Sequence, residues 1–242
     1  MSKNLRSRLA DFILENINLD ISIILEVGCG EGQLTIPFTQ KLNKQLKDFK
    51  VIAYDLSIEP YSGSIDILNK KIQQAELQDT ITVMQGDVRK IDAFEDNSVD
   101  FIFSNDLFCD LDRIGLENAL NEFYRILKQK GQMVHAEYSP AYENISQKLF
   151  IEADMHSLET AQPKPDWFSP YADELAALMH KIGFRDITIK YFETGLHFEY
   201  EQAIETLKNW TVDSKFIEEH RNDLHKYGIE SPLEHVIFCN KY

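Results

Sequence analysis

The chain has 242 residues, 43% of them hydrophobic and 27% charged, enough to bury a full core in one enlarged domain. Its 40 acidic residues outweigh 25 basic ones for a formal charge of -15, and no basic patch offsets that field, which excludes nucleic acid as the expected partner. Cys29, Cys109 and Cys239 are odd in number and far apart, which predicts a reducing, cytoplasmic setting without disulfides or a zinc site.

Residues 1–20 predict a helix lying on the domain, because Leu5, Leu9, Phe12, Ile13 and Ile17 recur at helical spacing. Residues 21–27 are almost unbroken in apolarity, as a central parallel strand is. Leu34, Phe38, Leu42 and Leu46 then mark a helix face, with Pro37 early enough to be tolerated. A second strand is expected at 51–54 and a helix at 65–77, joined by a link that holds Pro60 and Gly63. Strands at 81–84 and 98–104 follow, then a helix over 113–128 closed by Lys130 and Gly131, and a fifth strand at 132–138. That alternation predicts a doubly wound, mostly parallel α/β sheet.

Past Tyr138 the rhythm loosens. Residues 139–170 form a long connection with a short helix and the segment A-Q-P-K-P-D-W-F-S-P. A helix at 171–181, a strand at 184–191, a helical stretch over 199–227 and a strand at 234–240 complete seven strands. Connections of this length are seldom passive, and neither has an evident core of its own. The expectation is one domain, 1–242, whose insertions at 139–170 and 199–227 cover a ligand. No stretch approaches the length of a membrane span.

The chemistry concentrates in I-I-L-E-V-G-C-G-E-G-Q-L-T, where an apolar run ends in Glu26 and is followed by Gly28, Gly30 and Gly32. Strand, tight turn and helix start let a ligand lie against bare backbone. The spacing is G-x-G-x-G and lacks the third glycine of the dinucleotide fingerprint, so an NAD-dependent dehydrogenase is the least favoured enzyme. A carboxylate on the strand suits a ligand with a cationic aminoacyl end better than one with a pyrophosphate.

With Asp55 ending the second strand, G-D-V at 86–88 and S-N-D-L-F at 104–108, the chain resembles the class I S-adenosylmethionine-dependent methyltransferases. The resemblance covers residues 21–138, and the last two strands fit that family's antiparallel hairpin. It implies a Rossmann-like seven-stranded sheet, S-adenosyl-L-methionine as cofactor and S-adenosyl-L-homocysteine as product. The link around Pro60 is longer than the family's common pattern and leaves Ser57 and Glu59 undefined as contacts.

Within that reading Glu26 helps hold the cofactor's ammonium group, and Gly28, Cys29 and Gly30 form the turn, Cys29 as a small buried filler. Asp55 offers two acceptor oxygens to the ribose diol, with Leu56 beside it. Gly86, Asp87 and Val88 form the adenine segment, although Asp87 also reads as a turn aspartate. Asn105 and Asp106 face the reacting centre at the end of the fourth strand, with Leu107 and Phe108 as an apolar wall. Candidate acceptor or catalytic residues are Tyr138, Asp110 and His197, with Trp167, Phe168 and Tyr191 as further aromatic contacts. Asp110 is equally placed to cap the helix near Arg113, and His197 to be structural.

The expected activity is methyl transfer to a small-molecule acceptor without a metal, by a monomer or homodimer. A protein methyltransferase and a non-catalytic, cofactor-binding partner subunit are the alternatives.

Overall fold

The computed structural model describes residues 3–58, 61–160 and 170–242. Five parallel strands form the middle and one edge of the sheet: β1 (Ile23–Val27), β2 (Lys50–Asp55), β3 (Ile81–Gln85), β4 (Val99–Asn105) and β5 (Leu127–Tyr138). Two further strands, β6 (Arg185–Phe192) and β9 (Glu234–Asn240), complete the order β3-β2-β1-β4-β5-β9-β6, with β9 antiparallel to both neighbours. The chain winds outward from β1 to β3 and then returns to β4. The gap between β1 and β4 is therefore the topological switch point, where α/β sheets open a crevice at the carboxyl ends of their strands.

The central strands are apolar on both faces because helices cover both. On one face, α1 (Lys3–Leu14), α2 (Thr35–Leu42) and α3 (Ser64–Gln74) bury Leu5, Leu9, Phe38 and Leu68 against Phe101 and Phe103. Phe38 stacks on Phe103 with ring centroids 4.3 Å apart. On the other, α4 (Arg113–Ile126) and α6 (Ala172–Ile182) bury Leu120, Phe123, Leu175 and Met179. Each such side chain contributes about 2–3 kcal/mol of transfer free energy, so this two-sided packing holds the crevice in place.

Two local differences from the sequence reading have simple causes. α4 stops at Ile126 and β5 already begins at Leu127, so Lys130 (φ +64°) and Gly131 form an irregularity within the strand rather than a helix stop. The connection after β5 holds a 16-residue helix, α5 (Ile145–Thr160), longer than expected. It packs with α7 (Tyr200–Asn209), α8 (Ser214–Glu219) and α9 (Arg221–Tyr227) around Leu149, Ala153, Leu207, Phe216 and Leu224. A small hairpin of β7 (His197–Phe198) and β8 (Ile229–Glu230) sits beside them. The two insertions, each coreless alone, share one core. Glu59, Pro60, Pro165, Trp167 and Phe168 lie outside the described residues.

Candidate functional site

Backbone bonds lace the ends of β1, β2 and β3 together. The Gly28 and Cys29 amides both donate to the Tyr54 carbonyl, at 2.8 and 3.3 Å, and the Gly86 amide donates to the Asp55 carbonyl at 2.9 Å. Gln85 reaches the Leu56 carbonyl at 2.9 Å. Gly28 has φ +72°, and a Cβ there would stand 2.9 Å from Leu107 Cδ1; Gly30 has φ +49° and nothing within 4 Å of its own Cβ direction. The first glycine is needed for packing and the second leaves an open flank.

Asp55 overlooks that flank. Its Oδ2 accepts from the Gly30 amide at 2.8 Å and its Oδ1 from the Ser57 amide at 2.7 Å. A carboxylate offers roughly four lone-pair sites, so the group is oriented and still has acceptor capacity for a diol. Glu26 lies 2% exposed below the loop, and its Oε2 has no hydrogen-bond partner among the described residues. Burial pushes its pKa up to about 8, with the Thr35 hydroxyl easing the shift and the Asp55 carboxylate adding to it. An orphaned buried acid under an open glycine fits a cofactor carrying an ammonium group. Cys29 is buried, and that burial drives its thiol upward, away from nucleophilic character.

Asp87 spends both carboxylate oxygens on Arg89, whose Nε and Nη2 donate at 2.7–3.0 Å, so a ligand amine there competes with an existing fork. Val88 is buried beside it.

The end of β4 is side-chain chemistry. Asn105 donates to the Ala136 carbonyl at 2.9 Å, and Asp106, held at φ +50°, donates its amide to the same oxygen at 3.0 Å. The Asp106 carboxylate meets Arg6 of α1 at 2.5 Å, and the other arm of that guanidinium meets Glu234 of β9 at 2.8 Å. Phe108 is fully buried and stacks on His135 at 3.5 Å, so it supports the crevice from beneath rather than lining it. Asp110 closes a one-turn 3-10 helix (Phe108–Asp110) and accepts from the Tyr61 hydroxyl at 3.4 Å. Asp112, not Asp110, caps α4, through the Gly115 amide at 2.5 Å. Asp106 and Asp110 are both open to solvent, yet burial among protein atoms raises both pKa values, that of Asp110 to about 6.

Tyr138, at the end of β5, donates its hydroxyl to Asp154 of α5, which ties that helix to the sheet. Burial and that carboxylate keep the phenol protonated. His197 sits on β7 with its side chain 42% exposed, 3.5 Å from Glu199 and 3.8 Å from Glu230. The structure thus brings Asp106, Asp110 and Tyr138 to one edge and puts His197 in the small hairpin of β7 and β8. Tyr191 is exposed on the edge strand β6.

Across the ends of β4 and β5 runs a buried polar layer that sequence reasoning missed. Ser104 Oγ lies 2.8 Å from His135 Nδ1, His135 Nε2 lies 2.9 Å from Glu137 Oε2, and the Cys109 amide donates to Glu137 Oε1 at 2.9 Å. Burial lowers His135 to about 3 and raises Glu137 to about 7. Glu234 is raised to about 7 and His235 lowered to about 3, again chiefly by burial. The available signals were charged residues inside apolar strands, M-V-H-A-E-Y and L-E-H-V-I-F, and Arg6 on the apolar face of α1.

Residues 24–131 match the family described as methyltransferase domain. The chain is 29% identical over 134 residues to a malonyl-acyl-carrier-protein O-methyltransferase from Priestia megaterium, a match spanning 52% of this chain and 43% of that protein. Among solved structures, a 4+2 cyclase, SpnF, superposes with TM-score 0.66 at 16% identity, over 97% of this chain and 81% of its own. A Haemonchus contortus phosphoethanolamine N-methyltransferase 2, bound to phosphomonomethylethanolamine and S-adenosylhomocysteine, gives TM-score 0.63 at 15% identity, over 97% of this chain and 52% of its own. No helix among the described residues is long and apolar enough to cross a membrane.

Proposed function

We propose that this chain, a member of the class I S-adenosylmethionine-dependent methyltransferases, transfers a methyl group from that cofactor to a small-molecule acceptor. The observation that carries the reading is Asp55, fixed by the Gly30 and Ser57 amides beside the open flank of Gly30 and above the orphaned Glu26. Asp55 would hold the ribose hydroxyls, the Gly28–Gly30 backbone would lie along the aminoacyl arm, and Glu26 would answer its ammonium. When bound, the cofactor supplies an electrophilic methyl group on a sulfonium, so the protein needs no covalent intermediate. Its own task is alignment and exclusion of water, which supports a role for Tyr138 and the covering helices.

A small acceptor is supported by Asp106, Asp110 and Tyr138 standing together at the strand ends, and by α5, which Asp154 ties to Tyr138 and which shares one core with α7 and α8. The acceptor named for the Priestia protein is a malonyl group on a carrier protein. A free carboxylate is a poor match for strand ends that already carry Asp106 and Asp110. The likeness to a cyclase keeps the fold from deciding the reaction alone.

Titration calorimetry with S-adenosylhomocysteine tests the assignment. The wild-type protein should bind it without added metal, and Asp55→Ala should weaken binding by roughly tenfold or more, the scale of one or two charge-assisted hydrogen bonds. Unchanged affinity in a folded Asp55→Ala protein would remove the ribose role. Methyl-labelled cofactor supplied to a metabolite extract should yield a small labelled product. Label confined to protein would replace the small acceptor with a protein one.

A further inference from the structure

The one-turn helix that follows β4 has no cap of its own. Leu107 stands at its N-terminal cap position and makes no side-chain cap hydrogen bond. The first amides of the turn are capped instead from β5, across the sheet. Glu137 Oε1 accepts from the Cys109 amide at 2.9 Å, and the same carboxylate takes the Phe108 amide and the Cys109 thiol. An acceptor at the start of a helical turn satisfies donors that the turn itself leaves open. Here it comes from 28 residues away, on a side chain that is fully buried.

Glu137 is itself oriented. Residues 135 and 137 point to one face of β5, as alternate strand residues do, so His135 Nε2 reaches Glu137 Oε2 at 2.9 Å. Ser104 lies opposite His135 in the β4–β5 register and meets its Nδ1 at 2.8 Å. The Phe108 ring stacks on the imidazole. Backbone pairing already joins β5 to β4, so what the carboxylate adds is a fixed turn.

That turn carries Leu107, whose carbonyl accepts from the Asp110 amide at 3.1 Å. A Cβ on Gly28 would stand 2.9 Å from Leu107 Cδ1 and 3.3 Å from its Cβ and Cγ, so the buried leucine fills the space that Gly28 leaves. A continuous path therefore runs from Glu137 through the 3-10 turn and Leu107 to the glycine turn. We propose that Glu137 is a positioning residue for methyl transfer: by capping the Phe108–Asp110 turn it seats Leu107 against Gly28, and so fixes the backbone along which the cofactor's aminoacyl arm lies. This rests on the cofactor's placement at Gly28–Gly30. The Glu137 hydrogen bonds go to the turn and to His135, not to Glu26 or Asp55, so its effect on the cofactor passes through Leu107.

Titration calorimetry with S-adenosylhomocysteine on single and double variants tests the path. Glu137→Met keeps the volume and removes the acceptor, and should weaken binding about tenfold or more through lost placement. Glu137→Gln, whose amide oxygen can accept from the turn while its nitrogen donates to His135, should stay within about threefold of the wild type. Leu107→Ala leaves the buried network whole and should weaken binding about fivefold or more. In the Leu107→Ala background, Glu137→Met should cost less than about twofold further, because both changes act on one path. A residue serving only stability would cost the same factor in both backgrounds. Hydrogen exchange on the wild type needs no variant to fold: by reciprocity, saturation with S-adenosylhomocysteine should slow the Phe108 and Cys109 amides about threefold or more. Factors that multiply in the double variant, wild-type affinity in Leu107→Ala, a glutamine variant as weak as the methionine one, or unchanged exchange at those amides would overturn the proposal. Failure of the wild-type protein to bind S-adenosylhomocysteine, or undiminished binding by Asp55→Ala, would instead overturn the placement of the cofactor.

Discussion

The carboxyl edge of the sheet has two halves made of different material. Around β1, β2 and β3 the contacts are mainly backbone amides and carbonyls, and the Asp55 carboxylate is gripped by an amide 25 residues away. Around β4, β5 and β9 the contacts are side chains brought from the ends of the chain: Arg6 and Glu234 are 228 residues apart, Arg6 and Asp106 100 apart. Backbone needs no ionisation to hold its shape. Buried acids and histidines do, so the first half should answer to added atoms and the second to removed charges and to pH.

The largest effect is expected where the second half is cut. Arg6→Met leaves Glu234 buried without its cation and frees Asp106, and breaking one partner of such a pair costs about 3–5 kcal/mol. Urea unfolding of the variant measures it. A loss under about 1 kcal/mol would mean that Arg6 is a surface ion pair in effect and that the halves do not differ in this way.

Glu137→Gln sharpens the same contrast through pH. Glu137 has a folded pKa of about 7 against 4.5 for the free group. The folded protein therefore holds a proton between those values that the unfolded chain has released, and this contribution is complete below pH 4.5 and lost as pH rises through about 7. The glutamine variant should gain on the wild type across that window by on the order of 3 kcal/mol, one pKa unit being about 1.4. His135 works oppositely: its folded pKa of about 3 lies below 6.5, so its contribution is lost as pH falls through that interval. Parallel stability curves for wild type and Glu137→Gln from pH 4.5 to 8 would contradict the placement of this acid.

Gly28→Ala probes the backbone half. A left-handed φ costs about 1–2 kcal/mol for an ordinary residue, and the new methyl would press on Leu107, for a total of about 2–3 kcal/mol with no pH dependence. Gly30→Ala meets no atom, so its stability cost should stay near the conformational 1–2 kcal/mol while S-adenosylhomocysteine binding falls further than stability does. Equal loss of affinity in both variants would deny Gly30 its open flank.

The same division explains what the sequence disclosed. Glu26, Gly28, Gly30 and Asp55 sit in two short strand–turn segments whose chemistry is local, so spacing alone placed them at the strand ends. The strands and most helices were legible for a related reason, since apolar periodicity is set by the two covered faces. Arg6, Glu137, Asp154 and Glu234 were not, because a carboxylate in L-E-H-V-I-F has no visible partner until β9 lies against β5 and α1 lies across both. The shared core of α5, α7 and α8 was hidden likewise, being assembled from two insertions that each lack one. Asp110 shows the reverse error of locality: three residues from a helix start it resembled a cap, and Asp112 had the better geometry.

The smallest effect is expected at His197, and it bears on whether Asp110 or His197 holds the proton chemistry. Its side chain is 42% exposed and flanked by Glu199 and Glu230, and Glu230 is in turn held by Gln147 of α5 at 2.9 Å. Exposed pairs of this kind contribute about 0–1 kcal/mol, so His197→Gln should shift the urea midpoint little. Turnover of an identified acceptor should stay within about threefold, since removing a positioned general base typically costs 10²–10⁴-fold. Asp110→Asn, by contrast, should lower turnover by more than tenfold and flatten the acid limb of the pH–rate profile, which a residue serving only the fold would leave unchanged. If His197→Gln abolished that limb and Asp110→Asn did not, the proton acceptor would belong to the β7–β8 hairpin, and the side-chain half of the sheet edge would serve binding alone.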